Sequence, residues 1–182
     1  MLVLVKHSLP AIDPAVPPAH WLLGEEGRAR CGPLAERLRA YEPAALISST
    51  EPKAAETASL VAQELGLAVE LDERLREQDR TGAPWLSDGE FGKAVAAVFD
   101  RPEEVAFGSE SLESARDRFG AAIDEHLDRG QGSLVAVAHG TVISAYAAAK
   151  AGFDGYALWC RLGLPSLVVL DGTELVEVLE QV

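Results

Sequence analysis

The sequence predicts an α/β fold: a three-layer sandwich with a mostly parallel central sheet and a small inserted cap. Two observations lead there. Continuous aliphatic runs, which read as strands buried on both faces, alternate with stretches whose apolar residues keep a helical period. Two of those runs also end alike, Leu2-Val3-Leu4-Val5 passing into Lys6-His7-Ser8 and Leu134-Val135-Ala136-Val137-Ala138 into His139-Gly140-Thr141. In open parallel sheets ligands bind just beyond the carboxyl ends of the strands, so both histidines fall where chemistry is placed. The 182 residues, 48% of them hydrophobic, suffice for one filled core and contain no break in composition. One domain over residues 1–182 is expected, with a cap over about 72–110.

The elements follow in order. Leu2 to Val5 is the first strand, and Leu9 to Pro18, which holds four prolines, is a loop over the strand ends with His20 just past it as a candidate substrate contact. Glu25 to Tyr41 is helical, with Leu34, Leu38 and Tyr41 on one face and Gly32-Pro33 kinking it or delaying its start. A second strand around Ala45-Leu46-Ile47 leads to a helix capped by Ser49 or Thr50, with Pro52 in its first turn and Ala54, Ala58, Val61 and Leu65 along one face. Gly66 closes that helix and Leu67 to Leu71 is the next strand. From Asp72 to Ser109 the periodicity fades into a turn at Thr81-Gly82-Ala83-Pro84-Trp85 and a short helix from Glu90 to Phe99. Ser111 then caps a long helix carrying Leu112, Ala115, Phe119, Ile123 and Leu127, which ends at Gly130; His126, at the edge of its stripe among acids, is assigned to the surface. Thr141 is expected to cap the helix after His139, which ends at Gly152, and Asp171-Gly172 to turn a terminal hairpin of Ser166–Leu170 and Glu174–Leu179.

Composition narrows the function. With 29 Asp and Glu against 16 Lys and Arg, a net charge of -13, the surface field repels DNA, RNA and anionic membranes, so neither nucleic acid nor membrane is an expected partner. Cations that receive an anionic substrate must be gathered locally against that field, which draws attention to Lys6 and Lys53 at element ends. Cys31 and Cys160 show neither CxxC nor Cys/His metal spacing and are expected as free thiols. The N-terminal apolar run is too short for a signal-peptide core or a spanning helix, and a cytoplasmic location is expected.

The candidate site joins His7, His139, Lys6 and Lys53. A lysine in the first turn of a helix opposes the positive end of the dipole, a conflict that a bound anion would resolve. Gly140 permits close backbone approach, and the amides of Gly140 and Thr141 open a helix and can face an oxyanion. The set suits phosphate. Metal binding is disfavoured, because neighbouring ammonium groups oppose a divalent cation and no carboxylate ligand stands in a recognisable motif; no cofactor is expected.

These residues also resemble the histidine phosphatase superfamily, the phosphoglycerate mutase-like fold, over most of the chain. Lys6-His7-Ser8 stands where that family has Arg-His-Gly. Ser49 to Ala58 is similar to its Ser-x-x-x-Arg-Ala-x-Glu-Thr-Ala segment with Lys53 for arginine, and Ala138-His139-Gly140 is similar to its second histidine motif. Leu75-Arg76-Glu77 with Gly82 and Trp85 resembles the segment bearing its acid, and Gly108-Ser109-Glu110-Ser111 is one residue longer than its Gly-Glu-Ser. The resemblance implies a phosphohistidine mechanism on a small phosphate monoester: His7 as nucleophile, Glu77 as proton donor and acceptor, and Lys6, Lys53, His139 and the helix amides on the phosphate oxygens. Lysine presents a compact charge where arginine offers a planar fork. That substitution keeps two alternatives open: a phospho-ligand-binding or regulatory protein with a degenerate pocket, and a phosphohistidine protein phosphatase. A cap this short argues against a full mutase, which must exclude water between half-reactions.

Overall fold

Leu2, Val3, Leu4 and Val5 are all buried, at most 5% exposed, and they form most of strand β1 (Leu2–Lys6). A strand dry on both faces must be covered on both, and its alternation divides the core: Leu2 and Leu4 enter one apolar cluster, Val3 and Val5 the other. The computed structural model describes residues 1–130 and 132–182. After β1 come α1 (Glu25–Ala29), α2 (Cys31–Arg39), β2 (Pro43–Ser48), α3 (Pro52–Leu65), β3 (Val69–Leu71) and α4 (Asp88–Asp100). They are followed by α5 (Leu112–Arg129), β4 (Ser133–Ala138), α6 (Gly140–Ala151), α7 (Gly155–Arg161), β5 (Ser166–Asp171) and β6 (Glu174–Leu179).

The sheet runs β3-β2-β4-β1-β5-β6. β3, β2, β4 and β1 pair in parallel, and the terminal hairpin adds β5 and β6 antiparallel. One face is covered by α2 and α3 through Leu34, Leu38, Ala54, Ala58 and Val61, the other by α5 and α6 through Phe119, Ile123, Ile143 and Ala147. The expected three-layer α/β architecture is therefore the observed one. β1 lies beside β4 with Lys6 opposite Ala138, and the His7 amide donates to the Ala138 carbonyl at 3.0 Å. That register sets the two histidine-bearing strand ends side by side.

Several local expectations are corrected. The stretch from Glu25 to Tyr41 is two helices broken at Arg30, which places Pro33 in the first turn of α2, where its missing N–H costs nothing. Glu51, rather than Ser49 or Thr50, is the N-cap of α3, because β2 ends at Ser48 and the chain needs Ser49 and Thr50 to turn. Thr141 lies inside α6, whose N-cap is His139, so the helix begins directly at the strand end. β3 is shorter than Leu67–Leu71, and the hairpin turns at Gly172, in the left-handed region at φ 59°, with Asp171 and Glu174 paired across it. His126 is not on the surface: it is 7% exposed and its Nε2 lies 3.1 Å from Asp72 Oδ2. The segment after β3 folds over the edge of the α5 stripe and covers it. Gly66 and Gly152 end α3 and α6 in the left-handed conformation as anticipated, and Ser111 caps α5 by accepting from the Ser114 amide.

Candidate active site

His7 and His139 stand with ring centroids 5.2 Å apart, edge to face. His7 Nδ1 is 2.8 Å from the Ser8 carbonyl; a carbonyl only accepts, so the proton of the neutral ring sits on Nδ1 and Nε2 keeps its lone pair. Burial pushes the His7 pKa well below the ordinary imidazole value, and His139 and Lys53 add to the effect. His139 is 1% exposed, and burial lowers it to about 3, with Lys53 assisting and Glu77 opposing. Its Nε2 lies 2.9 Å from Ser49 Oγ and 3.5 Å from Glu51 Oε1. Both rings are therefore neutral near pH 7.

The lysines reach the same place from opposite sides. Lys6 Nζ donates to the Leu162 carbonyl at 2.7 Å, and burial lowers its pKa to about 8 against the pull of Glu77. Gly140 makes room for it: a Cβ there would lie 3.2 Å from Lys6 Cε and 3.4 Å from Trp159 Nε1. Lys53, 6% exposed, donates to the Pro18 carbonyl at 2.7 Å and to Glu51 Oε2 at 2.5 Å. Pro18 begins a single 3₁₀ turn that ends at His20, and His20 itself remains exposed. Ser8 is fully buried, its hydroxyl spent on the Gly27 carbonyl at 2.7 Å and its amide on Thr57 Oγ1 at 3.0 Å. At this position the serine ties the strand end to α1 and α3.

Glu77 closes the site. Its Oε2 accepts from the Thr141 amide at 3.1 Å and its Oε1 from the Val142 amide at 3.3 Å, so a protein carboxylate occupies the N-terminus of α6. Burial alone would raise its pKa, yet Arg80, His139 and the amides of Gln78 and Thr141 outweigh that and hold it below the usual carboxylate range. The segment carrying it is braced from behind: Arg118 donates to the carbonyls of Arg74, Arg76 and Glu77 at 2.7, 3.1 and 3.2 Å and pairs with Glu110 at 2.8 Å. Glu110 also accepts from the Asp79 amide at 3.0 Å, and Gly108, at φ 89°, passes so close to the Asp79 carbonyl that a Cβ would meet it at 2.3 Å.

Two site residues escaped the sequence. Arg80 donates to Thr141 Oγ1 at 2.7 Å, lies 3.7 Å from Glu77 Oε2 and rests over the Phe91 ring at 4.9 Å. Glu51, beside Lys53, turns a second carboxylate into the pocket. A charged residue two positions before Lys53 was visible in sequence, but nothing local said which way it would face. Among the described residues no group of three or more His, Cys, Asp or Glu could hold a metal ion, and no helix is long and apolar enough to cross a membrane. Cys31 is buried, Cys160 is exposed, and both are free.

Two neutral histidines, two lysines and a carboxylate thus lie together at one rim of a mostly parallel sheet. The sequence profile of the histidine phosphatase superfamily (branch 1) matches residues 19–180, and the chain belongs to that superfamily. The matched stretch begins after Lys6-His7-Ser8, so His7 enters the site on the geometry of β1. A probable phosphoglycerate mutase of Cronobacter sakazakii is 30% identical over 141 residues, covering 74% of this chain and 66% of that protein, just under two thirds of its length. Among solved structures, a mycobacterial glucosyl-3-phosphoglycerate phosphatase superposes with a TM-score of 0.75 at 24% identity over 92% of this chain and 87% of its own. A phosphoserine phosphatase of Entamoeba histolytica does so with a TM-score of 0.76 at 16% identity, over 98% and 95%. At such identities these two establish the shared fold, and that fold is one on which phosphatases are built.

Proposed function

We propose that the chain is a phosphohydrolase that cleaves a small phosphate monoester through a phosphohistidine on His7, without a metal. The observation that carries this is the 2.8 Å contact of His7 Nδ1 with the Ser8 carbonyl: it assigns the proton to Nδ1 and leaves the Nε2 lone pair as a nucleophile, at a site whose burial keeps the ring unprotonated. His7 Nε2 attacks phosphorus and the P–O bond to the alcohol breaks. Lys6, Lys53 and His139 hold the transferring oxygens, where phosphoryl transfer needs charge stabilised. Glu77 gives its proton to the leaving alkoxide, then takes one from the water that cleaves the N–P bond and releases inorganic phosphate. The resting Glu77 is ionised; an arriving phosphate dianion disfavours the carboxylate and shifts it toward the acid form that the first step requires. Residues 72–110 act as the cap that supplies Glu77 and Arg80, and free thiols accord with a cytoplasmic setting.

A second reading is a phospho-ligand binder without turnover, favoured by the Lys53–Glu51 ion pair, which neutralises a cation in the pocket. Turnover of para-nitrophenyl phosphate with EDTA present, followed by acid quench, separates the two. Turnover with an acid-labile phosphoenzyme that disappears in His7→Ala is the expected result. Phosphate binding with no turnover on any ester supports the binder, activity lost to EDTA overturns the metal-free mechanism, and activity only on phosphohistidine protein supports a protein phosphatase.

A further inference from the structure

Glu51 has no part in the mechanism above, yet its side chain is 11% exposed and fully engaged. Its Oε2 lies 2.5 Å from Lys53 Nζ, while its Oε1 accepts from the Glu77 amide at 2.8 Å and lies 3.5 Å from His139 Nε2. Lys53 and His139, two of these three neighbours, are groups assigned to the phosphate oxygens. Glu51 is also the N-cap of α3, where an acidic side chain ordinarily bonds the amides of its own helix; here it makes no such bond and turns into the pocket instead. A carboxylate and a phosphate ask the same of their donors, namely N–H groups aimed at oxygens that share negative charge. They cannot share them, because like charges at this separation repel.

We propose that Glu51 is a built-in competitor of the substrate: in the empty enzyme its carboxylate takes the place of a phosphate between Lys53 and His139, and a ligand must displace it to bind. The inference rests on the anion-site reading of the preceding subsection and adds a specificity rule to it. A doubly charged phosphate monoester outbids one carboxylate for Lys53, whereas a singly charged diester or carboxylate does not. Glu51 thereby sets the threshold of the pocket, and its effect runs through Lys53.

Isothermal titration of inorganic phosphate at fixed ionic strength into the wild type, Glu51→Gln, Lys53→Met and the double variant tests this. Gln retains a carbonyl for the Glu77 amide while removing the charge, and Glu51→Ala carries the same expectation should the amide disturb folding. The dissociation constant is expected to fall at least about tenfold in Glu51→Gln, with no gain from the same change in the Lys53→Met background. Equal or weaker phosphate binding in both Glu51 variants overturns the inference and makes Glu51 a residue that holds Lys53 in position. Phosphate binding to none of the proteins overturns the anion site itself, and with it the competitor.

Discussion

Acidification from pH 7 to pH 5 is expected to destabilise this protein through its histidine pair before its carboxylates contribute. Burial holds His139 at about 3, whereas in the unfolded chain an imidazole titrates at about 6.5. Below that value the unfolded state binds a proton that the folded state refuses, so stability falls with pH through the window from 6.5 down to about 3. The slope approaches about 1.4 kcal/mol per pH unit, and by pH 5 the loss from one such histidine is about 2 kcal/mol. His7, lowered well below the ordinary value by its burial, acts in the same direction and adds to this loss. Asp72, lowered to about 2, and Glu77, also lowered, act in the same direction but at lower pH: their stabilisation is present above about pH 4 and is lost only below it, outside the range from pH 7 to pH 5. Urea unfolding of the wild type and His139→Gln at pH 7, 6 and 5 reads the effect. The variant, lacking one titrating ring, is expected to lose about 2 kcal/mol less than the wild type over this range. Parallel curves for the two proteins would refute the claim that His139 is buried as a neutral ring.

Glu77→Gln is expected to lower kcat by about a hundredfold to ten-thousandfold while changing phosphate affinity far less, because it removes proton transfer and leaves the lysines in place; equal losses in both count against the assignment. Lys6 sheds its charge as pH climbs through about 8, so phosphate affinity should decline between pH 7 and 9, and Lys6→Arg should flatten that decline. Titrations with the same slope in both proteins would remove Lys6 from the anion site. Arg118→Met takes the guanidinium from the partly buried Glu110, which keeps the Asp79 amide, and the donor from three backbone carbonyls, and is expected to cost about 2 to 3 kcal/mol in urea unfolding, with turnover falling as Glu77 loosens. A loss under 1 kcal/mol, about the worth of an exposed pair, would show that the brace is dispensable.

What could be read from the sequence was whatever a short window encodes. Four aliphatic residues before Lys6 report a strand dry on both faces, and the same signature before His139 places a second strand end, so the parallel α/β sheet and the pairing of two histidines at its rim followed from local pattern and the geometry of strand ends. Gly66, Ser111 and Gly152 marked helix boundaries because capping is a local demand of the backbone. Resemblance singled out Glu77, although its local sequence is that of a solvated acid.

The tertiary structure decided where charges point. Glu51 turned into the pocket, Arg80 came to Thr141 and Phe91, and Glu77 took the amides of α6, all across separations that depend on β2 and β4 pairing and on the 72–110 segment folding back. His126 is the plainest case: at the edge of the α5 stripe, among acids, its sequence says surface, and only the strand-to-helix segment containing Asp72 buries it. A helical period reports which residues share a face; it carries no information about what another part of the chain lays over the edge of that face. Burial, pKa and partner choice are sums over neighbours distant in sequence, so they come into being only when the chain is folded.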